Sequence, residues 1–279
     1  MSYFLIVLSS LIWGICPTIQ SKALDSGASA LNVVTYSLFF YTLNVVADCV
    51  VRKEDLRISK AEAFAFIRIG FAMFLTEMFL SMSYERIPVG LATMIHFTYP
   101  SLVCLANGIF YKEKLNHAAW FSIAFSIFGL FLLALDYLSG EIFGVLIAFA
   151  SAVAYSYDLI CLDKSRIGRM SASKKVFYLT MARIVAVAVT NFLSLEQYSF
   201  AADQLIYCAI VGLGKSVAML AFSKGLAQVG SSRASFVSAL EPIVSLFVSK
   251  FVYGYALGLN SYLGCFFIVT ATFFFVRNR

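Results

Sequence analysis

The chain has 279 residues, 61% hydrophobic and 13% charged, with a formal net charge of +6 and a mean hydropathy of +0.86. A soluble domain carries about 25% charged residues. Composition therefore excludes an ordinary soluble enzyme and points to a chain whose main solvent is lipid.

Apolar runs of about 20 residues recur, the length needed to cross a ~30 Å hydrocarbon core. They predict ten membrane helices, near 3–21, 29–51, 63–84, 89–110, 117–135, 142–162, 174–194, 203–226, 233–251 and 260–277. The runs are continuous rather than alternating, which excludes a β-barrel. The first run lacks a basic flank and a small-residue cleavage site, so a retained helix is expected rather than a signal peptide. Little chain is left for a soluble domain.

With the N-terminus in the cytoplasm, fifteen basic residues fall in inner loops and the tail, and three (Lys22, Arg86, Lys250) fall outside. That asymmetry predicts both termini on the cytoplasmic side of the cytoplasmic (inner) membrane. The net charge is thus an orientation signal with some attraction to anionic lipid. It is not a nucleic-acid footprint, because the basic residues are spread over five separate segments. The six cysteines form no CxxC pair and suggest neither a disulfide framework nor a metal site.

A shift of 142 residues lays the chain on itself without a gap. Trp13 falls on Tyr155, Ser29-Ala30 on Ser171-Ala172, Gly70 on Gly212, Pro100 on Pro242 and Tyr111 on Tyr253. The expected organisation is two five-helix units, residues 1–137 and 143–279, forming one membrane domain. Five is odd, so the second unit enters the membrane inverted. Inverted repeats mark secondary transporters, with the substrate site near the midplane where the copies meet.

Residues 83–133 combine a small-residue turn into helix four, a mid-helix Pro100 and the junction Glu113-Lys114-Leu115. This stretch resembles the fourth and fifth helices of an EamA-type member of the drug/metabolite transporter superfamily. The pattern returns at 225–276 with Pro242, and Trp13-Gly14 also fits. It departs at Tyr255, where the family often has Glu. The resemblance implies an all-α bundle of ten helices around a central cavity lined by helices 1, 3, 4, 6, 8 and 9. It is weak for substrate, since the family carries amino acids, other metabolites, quaternary amines and drugs.

Ionisable groups inside a span are costly and rarely face lipid, so each needs a reason. Helix nine carries Ser235, Ser238, Glu241, Ser245 and Ser249 at steps of three and four, hence on one face. Helix four presents Thr93, His96, Tyr99 and Asn107 on the matching face. Back-bonding and helix–helix contacts explain the serines equally well, but they do not explain Glu241. Pro100 and Pro242 each remove a helix hydrogen bond, marking bends.

Glu77 in helix three falls on Met219, one turn after Lys215 in helix eight. An acid and a base thus sit one turn apart on equivalent faces. They either meet a substrate amine and carboxylate or pair with each other. Helix six shows Ser151, Tyr155 and Asp158, and helix one shows Ser9, Trp13, Cys16 and Gln20. Trp13, Tyr155 and Tyr99 suggest an aromatic wall suited to cation–π contact; ordinary packing is the plain alternative. Arg183 in helix seven falls on Tyr41 and has no evident partner in the sequence.

The expected function is alternating-access transport of a small polar metabolite, a zwitterionic amino acid before a choline-like amine or drug cation. Mixed charges favour the zwitterion. A run of GLGKS at 212–216 lacks phosphate-loop spacing, so an ion or substrate gradient supplies the energy. Glu77, Glu241 and His96 are the candidates for proton coupling. No enzyme, cofactor or metal is expected, since the two histidines, His96 and His117, stand far apart. A non-transporting scaffold gives no reason to keep mid-span charges. Small residues Ser122, Ser126 and Gly129 suit close helix packing or a homodimer through helices five and ten.

Overall fold

The computed structural model describes residues 2–112, 114–135, 141–165, 167, 170–194, 201–229, 238, 240–254 and 258–277. Its described elements are α1 (Ser2–Asp25), α2 (Ala30–Arg52), α3 (Lys60–Tyr84), α4 (Val89–His96) and α5 (Tyr99–Phe110). Next come α6 (His117–Leu135), α7 (Ile142–Lys164), α8 (Ala172–Leu193), α9 (Ala202–Val229), α10 (Leu240–Tyr253) and α11 (Leu259–Arg277). Among the described residues, seven stretches are long and apolar enough to cross a membrane, with α4 and α5 together forming one of them. Shorter apolar helices occupy His117–Leu133 and Leu259–Ala271. Ser235, Glu113, Tyr255 and the start of the expected ninth helix lie outside the described residues.

Serines start the helices where the sequence changes from loop to apolar run. The Ser29 side chain accepts from the Asn32 amide at 3.2 Å, opening α2. At the equivalent position 142 residues on, Ser171 accepts from the Lys174 amide at 3.3 Å, opening α8. Ser59 and Glu62 complete a reciprocal capping box at α3, so two orphan donors are satisfied at once.

Helix four of the sequence reading is two helices. α4 ends at His96, and Phe97-Thr98 lead into α5, whose first turn contains Pro100. A proline cannot bond to the carbonyl one turn earlier, which is that of His96. All eight residues of α4 are buried. They form a core with Leu133, Val145, Ala148, Cys265 and Ile268.

Helix packing follows the internal repeat. α1 packs on α9 as α3 packs on α7; α2 packs on α9 as α8 packs on α3; and α1 packs on α10 as α4 and α5 pack on α7. α6 lies along α11, α4 against α10 and α2 against α8. Exchanging the halves maps the α6–α11 and α2–α8 contacts onto themselves.

Two equivalent glycines permit the closest crossings. A Cβ at Gly70 would strike Ala182 and lie 3.0 Å from the Leu179 carbonyl oxygen. One at Gly212 would strike the Ser37 carbonyl and lie 3.0 Å from Phe40 Cβ. Gly212→Val should therefore lower the melting temperature by several degrees or prevent monodisperse purification, since overpacking a crossing costs roughly 1–3 kcal/mol. Gly214→Ala should be tolerated, because the added methyl meets only the side chains of Cys16 and Ile12 at 3.2 and 3.4 Å. Equal melting temperatures for the two variants would refute this account.

The small residues of α6 are used within the chain. Ser122 Oγ donates to the Ala271 carbonyl at 2.7 Å, and Ser126 Oγ lies 2.7 Å from Ser101 Oγ. A Cβ at Gly129 would meet the Gly264 carbonyl oxygen at 2.7 Å. Phe121, Phe125 and Phe128 interlock with Phe267 and Phe274 along the same seam. This face is therefore taken by α11 and, at Ser122 and Ser126, by Ser101 of α5. Large apolar side chains such as Phe110, Phe192 and Phe251 point outward, as lipid-facing positions do.

Candidate functional site

A cavity of about 150 Å³ opens between the halves, far larger than the ~10–15 Å³ one water needs. Its walls come from α1, α3, the α4–α5 junction, α7, α9 and α10. Tyr41 of α2 and Arg183 of α8 also line it, so two more helices contribute than the family resemblance implies.

Glu77 anchors one wall. Lys215 Nζ donates to Glu77 Oε1, and Arg183 Nη2 lies 3.8 Å from Glu77 Oε2. Lys215 also donates to Gln20 Oε1 at 2.7 Å, while Gln20 Nε2 donates to Ser81 Oγ at 2.5 Å. Ser81 Oγ in turn donates to the Glu77 backbone carbonyl at 2.8 Å. The acid and base therefore pair directly, and α1, α3, α8 and α9 are tied at one point.

Arg183 completes the cluster. Its guanidinium sits 5.3 Å from the centre of the Tyr41 ring, the residue it replaces in the first half. Its Nε is buried without a hydrogen-bond partner among the described residues.

Asp158 on α7 is 4% exposed. Its Oδ1 is buried without a hydrogen-bond partner among the described residues. Its Oδ2 lies 3.4 Å from Thr76 Oγ1, but that hydroxyl's single hydrogen is closer to the Ala72 carbonyl, at 3.0 Å. Asp158 thus lacks a strong donor. It is an electrostatic neighbour of Arg183, yet no ion pair joins them. Glu241 reaches the cavity from the first turn of α10, and no hydrogen bond or ion pair to its carboxylate occurs among the described residues. Its electrostatic neighbour is Lys215.

The aromatic wall is compact. Tyr99 and Tyr155 meet edge to face with centroids 4.7 Å apart, and His96 lies 5.7 and 5.2 Å from them. Trp13 lines another part of the cavity, its ring 5.2 Å from Phe222. Ser238 is buried and is not among the described lining residues. Pro100 and Pro242 shape the α4–α5 junction and the start of α10 without touching the cavity. Ser9 and Ser10, both buried, donate to the Ile6 carbonyl and belong to packing.

Much of the lining pairs positions 142 apart that carry different chemistry: Trp13 with Tyr155, Tyr41 with Arg183, Met73 with Lys215, Glu77 with Met219, and Tyr99 with Glu241. The roles of Tyr41 and Arg183 escape a charge-by-charge reading of the sequence. Their equivalence under the offset was the available signal, because equivalent positions should flank the same cavity.

Polar ties close both ends of the bundle. At the end richer in basic residues, Asp48 accepts from Arg52 Nε at 2.8 Å and from Ser173 Oγ at 2.5 Å, with Lys224 at 3.7 Å. Ser171 Oγ donates to Glu54 at 2.9 Å there, and the Tyr178 hydroxyl donates to the Leu56 carbonyl. At the opposite end the Tyr253 hydroxyl donates to Asp25 at 2.8 Å, with Lys22 lying 4.2 Å over the Tyr253 ring. Gln204 Nε2 donates to the Ser26 carbonyl at 2.8 Å.

Long apolar helices around an ion-paired internal cavity define a multi-pass membrane protein. The EamA-like transporter family matches residues 1–135 and again 142–277. The chain belongs to that family, a ten-helix membrane fold within the drug/metabolite transporter superfamily. One solved crystal structure shares the fold with a TM-score of 0.70, over 97% of this chain and 95% of its own, at 16% identity. No curated protein matches by sequence.

Proposed function

We propose that the protein is a secondary transporter of a zwitterionic amino acid, working by alternating access between its two inverted halves in the cytoplasmic membrane, with both termini in the cytoplasm. The observation that carries this reading is a buried cation and a buried carboxylate that face one cavity without satisfying each other. Arg183 holds an unused donor, and Asp158 an unused acceptor. A burying site pays heavily for unmatched charge. A substrate carboxylate at Arg183 and an ammonium at Asp158 would satisfy both.

Charge placement assigns the remaining roles. Glu77 is held by two cations, and a proton there would leave Lys215 and Arg183 facing each other across a neutral acid. Glu241 has no such partners, so proton exchange falls to it rather than to Glu77. The polar ties at the two ends would open in turn as the halves rock.

A thermal-shift screen of detergent-purified protein tests the substrate class. The panel is amino acids, choline-like amines, lipophilic cations and phosphorylated metabolites, each at pH 6 and pH 8. Ligand bound only by the folded state raises the melting temperature, by about 2.7 kcal/mol of stabilisation at a hundredfold excess over Kd. Amino acids should stabilise and phosphorylated metabolites should not. Stabilisation by choline-like amines alone would transfer the reading to the Tyr99–Tyr155–His96 wall and sink the zwitterion.

A further inference from the structure

We infer that the amino acid carries a second cationic group on its side chain, so that the preferred substrate is a basic amino acid. This rests on the zwitterion reading and adds a recognition site for the far end of the molecule. That site is made by His96, Glu241, Tyr99 and Tyr155.

Hydrogen-bond logic fixes the orientation of His96. Ser151 Oγ lies 2.6 Å from the Ala148 carbonyl oxygen, which can only accept, so the hydroxyl hydrogen points there. His96 Nδ1 lies 2.9 Å from the same Oγ and must therefore supply the hydrogen between them. In a neutral ring this leaves Nε2 as a lone-pair acceptor. His96 is 7% exposed, lines the cavity, and has no other hydrogen-bond partner among the described residues. Its free nitrogen accepts; it does not donate.

Glu241 is a second carboxylate with no hydrogen-bond donor among the described residues. Asp158 and Tyr155 lie one turn apart on α7 and line the same cavity as Tyr99 and Glu241. A ligand held by Asp158 and Glu241 shares that cavity with the two tyrosines, whose ring faces attract ammonium and guanidinium groups by ~0.5–2 kcal/mol.

Charge balance agrees. Among the described lining residues, three carboxylates (Glu77, Asp158, Glu241) face two cations (Arg183, Lys215), one formal negative charge in excess. A neutral zwitterion leaves that excess in place. A basic amino acid, with two cationic groups and one carboxylate, removes it. In the empty cavity, a proton on Glu241 restores the same balance. Choline also carries one positive charge, but its quaternary nitrogen has no N–H to donate and it brings no carboxylate for Arg183.

The test is uptake by the full chain in liposomes. Radiolabelled lysine is competed with norleucine, which lacks the terminal amine, and with cadaverine and choline, which lack the carboxylate. Lysine and arginine should compete at concentrations at least about tenfold lower than norleucine, a ratio worth about 1.4 kcal/mol. In a thermal-shift assay of the purified chain, which needs no turnover, Glu241→Gln should erase the preference for lysine over norleucine while norleucine still stabilises. Should that variant fail to fold, His96→Phe reads the same contrast. Norleucine competing as well as lysine would overturn the inference and leave the zwitterion reading intact. Cadaverine or choline competing as well as lysine, or no uptake of either amino acid, would overturn both.

Discussion

Glu77→Gln should abolish substrate uptake and lower the melting temperature by more than about 5 °C. The carboxylate is the shared counter-ion of Lys215 and Arg183. Removing one partner of a buried ion pair costs roughly 3–5 kcal/mol, because the other charge is stranded, and each kcal/mol moves the midpoint of a domain of 150–250 residues by about 2–4 °C. The double variant Glu77→Gln/Lys215→Met removes one charge of each sign and should recover most of the lost stability. Uptake should stay absent in that variant. Recovery of uptake together with stability would show that the pair only makes both charges tolerable and has no part in transport.

Arg183→Gln should weaken stabilisation by amino acids roughly 10–100-fold. A hydrogen bond to a charged group contributes about 1.5–3 kcal/mol, and Arg183 supplies the cavity's unused donor. Arg183→Lys should fall between, since it keeps the charge but loses the planar fork. Melting temperature without ligand should drop less than in Glu77→Gln, because the Glu77–Lys215 contact survives and the Tyr41 cation–π contact is worth at most ~2 kcal/mol. Unchanged amino-acid affinity in Arg183→Gln would remove the carboxylate site from the proposal.

The sequence made the fold legible for a physical reason. Lipid demands continuous apolar runs with internally satisfied backbones, so each crossing announces itself. The expected boundaries of α2, α6 and α11 fall within one residue of those observed. The break in the fourth crossing was less legible. Pro100 signalled a bend, but the interruption falls earlier, at Phe97-Thr98, directly after His96, whose carbonyl the proline leaves unbonded. Among the site residues, the Glu77–Lys215 pair could be read from the repeat, because one turn on equivalent faces sets a short distance. Arg183 could not be paired, since helix seven gives no polar stripe and its partner lies five elements back, on α3. The small residues of α6 carry a packing signal without an address: spacing shows that something comes close, and only the fold shows that it is α11.

The differing chemistry at equivalent lining positions has a consequence for how the two halves depend on each other. The cations in the described lining, Arg183 and Lys215, belong to the second half, while their shared counter-ion Glu77 belongs to the first. Two copies of the first half would bring together a pair of Glu77 carboxylates with methionine and tyrosine where the cations stand. Two copies of the second would crowd four cations and four carboxylates around methionines at the Glu77 position. Neither self-association reproduces the neutralised cluster that ties α1, α3, α8 and α9. The halves share a scaffold yet have become obligate complements, and a symmetric ancestor's freedom to pair with its own kind is closed to them.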